Sequence, residues 1–166
     1  LQNTGTAGLT NFGTVYAEGG DTDFGGGVLG HGGSASIVVS SAGGIDHHGG
    51  EFTAIGGWGN EGGNGGNVFI QLVATGGIGV VLDSGTIYAE GGGSGFTSNS
   101  NGGVGGNAEI QLISSDGVFI DGGYFKSVEA RGGQGGYVTA GTFNGGNGGS
   151  GTVLIQNTSS TVGVSI

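Results

Sequence analysis

Cysteine, proline and methionine are all missing from this 166-residue chain, and its only basic residues are Lys126 and Arg131. Without cysteine, no disulfide holds the fold or reports the redox compartment. Without proline and a strict three-residue glycine period, a collagen-type fibre is excluded. Twelve acidic residues against 2 basic ones give a formal net charge of −10, which argues against nucleic acid and anionic membrane surfaces as partners. No apolar run approaches the roughly 20 residues of a membrane helix, so no transmembrane segment is expected. There is neither a starting methionine nor a charged-then-apolar leader, and Leu1 reads as a processed or truncated start.

Glycine is what the chain has most of, at 48 residues, against a usual share of about 7%. Regular Val, Ile, Phe and Tyr clusters oppose disorder, because they supply apolar surface to bury at intervals. One unit recurs about four times, with a period between about 30 and 50 residues. Its fullest copy runs from Val80 to Leu112: VVLDSGTIYAEGG, a glycine-rich spacer, then NAEIQL. Related copies begin at Leu9 (LTNFGTVYAEGG), Ile45 (IDHHGGEFTAIGG) and Val118 (VFIDGGYFKSVEARGG), and Ile37, Ile70, Ile110 and Ile155 mark the end of each unit. Such a repeat predicts an all-β fold, a parallel β-helix or β-solenoid forming one domain over 1–166. Its coils are expected at about 1–36, 37–69, 70–109 and 110–154, with a partial coil over 155–166.

Period-two alternation predicts three strand positions per coil. The first turns Val15 and Ala17 inward, with Phe52 and Ala54, Ile87 and Ala89, and Val128 and Ala130 at matching places. The second does so with Ala35, Ile37 and Val39, then Val68, Ile70 and Leu72, then Ala108, Ile110 and Leu112, then Val153 and Ile155. The third carries Val80 and Leu82, Val118 and Ile120, and Val162, Val164 and Ile166. Leu1 reads as a further level of the Ile37 column, because LQNT at the start matches IQNT at Ile155. Asn11, Asp46, Asp83 and Asp121 lie just ahead of Gly13, Gly49, Gly85 and Gly122, as expected where an Asx side chain holds a turn and glycine takes a positive φ. The spacers carry triplets such as GGNGGN, with glycine at two places in three, which predicts a glycine-rich outer layer of closely packed extended backbone.

The pattern D-x-G-x-I-x-A-x-G-G, spacer, G-G-N-x-x-I-x-L is similar to the repeats of filamentous-haemagglutinin-like exoproteins, secreted β-helix adhesins of Gram-negative bacteria. The likeness is carried by Gly85 to Gly92 with Gly105 to Leu112 and their counterparts. It implies a right-handed parallel β-helix, an extracellular or cell-surface location and a role in adhesion or matrix. It transfers no catalytic residue.

No enzyme is expected. Polysaccharide cleavage asks for basic residues or a close carboxylate pair, and Lys126 and Arg131 are too few. No phosphate-loop motif GxxxxGK[ST] occurs. No cofactor is expected except calcium, for which Asp46, Asp83 and Asp121, read as stacked in neighbouring coils, and Asp21 with Asp23 are the candidates. His47 and His48 are adjacent and read as turn residues rather than zinc ligands. Val38, Phe69, Val73, Ile113 and Leu154 form an outward apolar row that predicts lateral packing, with Gln71, Gln111 and Gln156 as a polar row among them. Tyr16, Tyr88 and Tyr124 are candidate sugar contacts. The ends are the main functional feature: Leu1, Gln2, Asn3 and Leu9 at one, and Val153, Ile155, Val162, Val164 and Ile166 at the other. Neither looks like a polar cap, so the chain is expected to partner itself, stacking head to tail into a homopolymer filament or matrix. The alternative is a segment of a larger adhesin that binds carbohydrate or another cell surface.

Overall fold

The computed structural model describes residues 1–22, 30–98, 100–121, 128–159 and 163–165. In chain order the strands are β1 (Gln2–Asn3), β2 (Leu9–Asn11), β3 (Thr14–Glu18), β4 (Ala35–Ser41), β5 (Ile45–His48), β6 (Glu51–Ile55) and β7 (Val68–Ala74). They continue as β8 (Val80–Asp83), β9 (Thr86–Glu90), β10 (Ala108–Ser114), β11 (Val118–Asp121), β12 (Val128–Arg131), β13 (Gly151–Asn157) and β14 (Val164–Ser165). Among the described residues there is no helix, and therefore none long and apolar enough to cross a membrane.

Three sheets hold these strands, ordered β1-β4-β7-β10-β13, β14-β11-β8-β5-β2 and β12-β9-β6-β3. Every pairing between named strands is parallel. The chain visits the sheets in the same sequence on every pass; the first four passes add one strand to each sheet, and β13 and β14 extend the first two sheets once more. A parallel ladder needs long crossovers, and the other two sheets and the glycine spacer supply them.

Identical registers on successive levels turn the alternating residues into aliphatic columns. Val15, Phe52, Ile87 and Val128 form one, and Ala17, Ala54, Ala89 and Ala130 the next. In the first sheet the central column is Ile37, Ile70, Ile110 and Val153. At both ends this departs from the sequence reading. Ile155 lies opposite Leu112, two residues further on, and Gln2 lies opposite Ser40, which puts Leu1 level with Val39 rather than Ile37. Alternation repeats every two residues, so a shift of two preserves the inward face and leaves no trace in the pattern. Phe52, Ile70, Leu72, Leu82, Ile87, Ile110 and Leu112 are fully buried, which places the core between the three sheets.

The second sheet extends further than its apolar pattern shows. Leu9 and Ile45 pair in line with Val80, Val118 and Val164, although Val162 and Ile166 lie outside the described residues. The next inward column reads Asn11, His47, Leu82 and Ile120, and its two polar members hid β2 and β5 from a search for apolar alternation.

The spacers form an ordered layer. Gly33 donates its N–H to the Gly20 carbonyl, Gly57 to Gly33, Gly66 to Gly57, Gly92 to Gly66, Gly106 to Gly92, Gly133 to Gly106 and Gly149 to Gly133, all at 2.8–2.9 Å. The bonds thus alternate between the arm leaving the third sheet and the arm returning to the first. A Cβ on Gly57, Gly65, Gly92 or Gly106 would meet a neighbouring carbonyl oxygen at under 3.0 Å, so these positions exclude any side chain. The third residue of a triplet faces outward and bridges levels. Asn67 Oδ1 accepts the Asn107 N–H at 2.8 Å, and Asn107 Oδ1 accepts the Ser150 N–H at 2.8 Å.

Candidate functional site

Among the described residues, both ends of the three-sheet stack are bare strand edges. β1, β2 and β3 form one end, and β13, β14 and β12 the other. Inward residues that are buried in middle levels lose their cover here. Val153 is 42% exposed where Ile110 beneath it is 0%, and Val164 is 44% exposed where Val118 is 1%. Leu1 is 75% exposed, while its ammonium group donates to the Val38 carbonyl at 2.7 Å. Gln2 is exposed, Asn3 accepts the Gly5 N–H on Oδ1 at 3.0 Å, and Leu9 and Ile155 are half-buried against the core. Unpaired N–H and C=O groups along an edge, flanked by uncovered apolar residues, form a template for further strands.

The acidic turn is arranged differently from the predicted stack. Asp121 does lie opposite Asp83, but His48 takes the next place in that row, and its Nδ1 meets Asp83 Oδ2 at 2.8 Å. Asp46 lies two residues away, opposite Val81 and Thr10. Asp21 accepts the Trp58 N–H on Oδ1 at 2.7 Å, and Asp23 is outside the described residues. Among the described residues no three His, Cys, Asp or Glu side chains gather around one point. The left-handed residue of the third turn is Ser84, with φ 58°, rather than Gly85. Gly85 serves another purpose, since a Cβ there would meet the His47 ring at 2.5 Å.

His47 is a fully buried polar side chain of the core. Its relative exposure is 0%, and its ring packs on Phe52 at 4.5 Å between centroids. Nε2 donates to the Thr86 carbonyl at 3.0 Å, because that oxygen only accepts, and Nδ1 accepts from Asn11 Nδ2 at 3.3 Å. Asn11 Oδ1 in turn accepts the Gly13 N–H at 3.1 Å. A neutral imidazole is thus fully satisfied. Burial holds the group below its ordinary value, and the Thr86 and Asn11 backbones with Asp46 and Glu51 oppose that only in part.

The outward face of the first sheet does not carry one apolar row. Val73 and Ile113 are neighbours, but Phe69 lies opposite Ser36 and Glu109, and Val38 and Leu154 occupy the two ends of a row whose middle is Gln71 and Gln111. Gln71 Nε2 donates to Gln111 Oε1 at 2.8 Å, whereas Gln156 lies opposite Ile113. Val38 and Leu154 remain exposed, so the described spacer residues do not fold over them.

On the third sheet, Tyr16 and Tyr88 are separated by Thr53, Glu129 stands next to Tyr88, and Tyr124 lies outside the described residues. Tyr16 donates to Glu18 at 2.9 Å, and that bond raises its pKa. Tyr88 donates to Glu90, and burial first and Glu90 second push it up to about 12. Arg131 pairs with Glu129 at 2.6 Å and lies 5.7 Å from the Tyr88 ring centroid. Beside them a cleft of about 290 Å³ has a glycine floor and is lined by Trp58, Glu90, Arg131 and Gln134. Trp58 is 47% exposed and rests on Gly93, and it is the chain's single tryptophan. Sequence reasoning passed over it because it sits alone in a spacer with no repeat partner. Compared with protein-family models, curated proteins and solved structures, the chain matches none of them.

Proposed function

We propose that the three sheets wind as one parallel β-solenoid of about four coils, right-handed and carrying the glycine spacers as an outer layer, and that this rod is a non-enzymatic extracellular structural subunit. Its strand order supports the winding, because each of the first four passes contributes one strand to each sheet in an unchanged sequence, which β13 and β14 then resume. The resemblance to haemagglutinin-like exoproteins supports the surface location. The observation that carries the function is the pair of open ends. Among the described residues all three sheets stop at edges with no further strand, with Leu9 and Val15 only partly covered at one end and Val153 and Val164 exposed at the other. Such ends add further coils, and a heterologous contact between unlike ends generates a filament rather than a closed ring.

Negative-stain electron microscopy of the purified chain, with its intact mass measured on the same sample, tests the reading. Long uniform filaments of a 15.8 kDa subunit are expected. Monodisperse short rods would sink the reading. They would favour a second one, an adhesin segment that receives a sugar in the Trp58 cleft, where an exposed aromatic face adjoins planar polar groups.

A further inference from the structure

The glycine layer records which surface is missing at each end. On inner levels Gly32, Gly65 and Gly105 each face the carbonyl oxygen of the next level's Gly57, Gly92 and Gly133, and a Cβ would stand under 3.0 Å from it. Gly148 holds the same place on the last level, yet the nearest atom to its Cβ position is 3.5 Å away, on its own level. At the other end, Gly57, Gly92 and Gly133 each face the carbonyl of the level below, whereas Gly20, first in that row, has nothing within 4 Å. Neither Gly20 nor Gly148 lies in the left-handed region, so neither needs glycine for its backbone conformation. The two vacancies are complementary. Gly148 lacks a carbonyl of the Gly20 row, and Gly20 lacks one of the Gly133 row.

A second feature matches. Because β1 pairs with only the last part of β4, a cleft of about 230 Å³ opens under β4 between Leu1, Val15, Ala17, Ile37 and Val39. The missing strand half corresponds to the start of β13, whose Val153 occupies the Ile37 column and is exposed.

Resting on the stacking reading above, we propose that a second copy of this chain docks head to tail in one register: Gly20 of the incoming copy sits over Gly133, its carbonyl oxygen fills the slot at Gly148, and its N–H donates to the Gly149 carbonyl. The bonds from Gly57, Gly92 and Gly133 to Gly33, Gly66 and Gly106, at 2.8–2.9 Å, are the pattern repeated. β3 of the incoming copy then continues the third sheet beyond β12, with Val15 over Val128 and Ala17 over Ala130. The start of β13 enters the cleft under the incoming β4, with Val153 beneath Ile37. This register gives one level two claimants in two sheets: residues 155–159 of one copy and 1–5 of the next in the first, and β14 of one copy and β2 of the next in the second, where Leu9 and Val164 share a column. The two segments in the first sheet share the run Gln-Asn-Thr and the same turn, Gly5 N–H to Asn3 Oδ1 at 3.0 Å and Ser159 N–H to Asn157 Oδ1 at 3.1 Å. In each sheet one displaces the other.

Sedimentation velocity of the full chain, of Gly20→Ala and of Gly148→Ala, alone and mixed, tests this. Wild type is expected to associate progressively with concentration. Each variant has room for its methyl group in the isolated chain, so its unfolding midpoint stays at or above that of wild type, while its self-association weakens by about tenfold or more. An equimolar mixture forms dimers and stops, because each variant retains one intact end. Variants that associate like wild type overturn the register and leave stacking standing. A wild type that stays monomeric at every concentration overturns stacking itself and assigns the slots to some other occupant.

Discussion

At the scale of single residues, His47 shows how a core position reads its solvent. It stands in a column with Leu82 and Ile120, and burial keeps its imidazole neutral by holding the pKa down. The unfolded chain titrates near 6.5, so the native state binds fewer protons below that value. Stability from this group is therefore complete above about pH 6.5 and is lost as pH falls through and below it. Urea unfolding followed by Trp58 fluorescence is expected to give a lower midpoint at pH 5 than at pH 8. His47→Leu, which continues the aliphatic column, narrows that gap; an unchanged gap would assign the acid sensitivity to the carboxylates instead. The sequence placed this histidine in a turn, because a His-His pair beside Asp46 looks polar. Only the register with Leu82 shows that its side chain faces inward.

At the scale of elements, each glycine arm is held by two kinds of contact, and they differ in strength. Gly65 leaves no space for a Cβ beside the Gly92 carbonyl. Gly65→Ala must push two backbones apart and is expected to cost about 3 kcal/mol, at the upper end of core overpacking. Asn107 faces solvent, and its Oδ1 accepts the Ser150 N–H at 2.8 Å and the Ser150 hydroxyl at 3.0 Å. Asn107→Ala removes these exposed bonds and is expected to cost about 1 kcal/mol. Thermal unfolding of both variants checks the order, and equal losses would mean that the arms are held by their side-chain ladder. This layer was legible in advance, since glycine at two places in three leaves one outward side chain per triplet. Which strand each arm meets was not legible, because the spacers differ in length.

At the scale of the whole molecule, the proposed winding makes stability a stack of similar levels in which each touches only its neighbours. Middle strands have a partner on both sides and end strands on one. Amide hydrogen exchange in the unassembled chain is therefore expected to be slowest in β7 and β8 and fastest in β1 and β14, with protection graded between them. Uniform protection would show instead that the levels unfold as one unit. Filament formation would raise protection at the ends first, which separates an edge contact from a lateral one.

The sequence by itself determined the repeat, the three alternating strand positions, the aliphatic columns and the need for glycine in the spacers. These follow from side-chain periodicity and from the size of a side chain, both of which are local. The tertiary structure alone decided what stands beside what across levels. His48 rather than Asp46 faces Asp83, Gln156 faces Ile113, and Ile155 faces Leu112. The physical reason is that a strand may slide by two residues without changing which face is apolar. Spacers of unequal length do not fix that slide, and the hydrogen-bonded ladders and close-packed glycine backbones do.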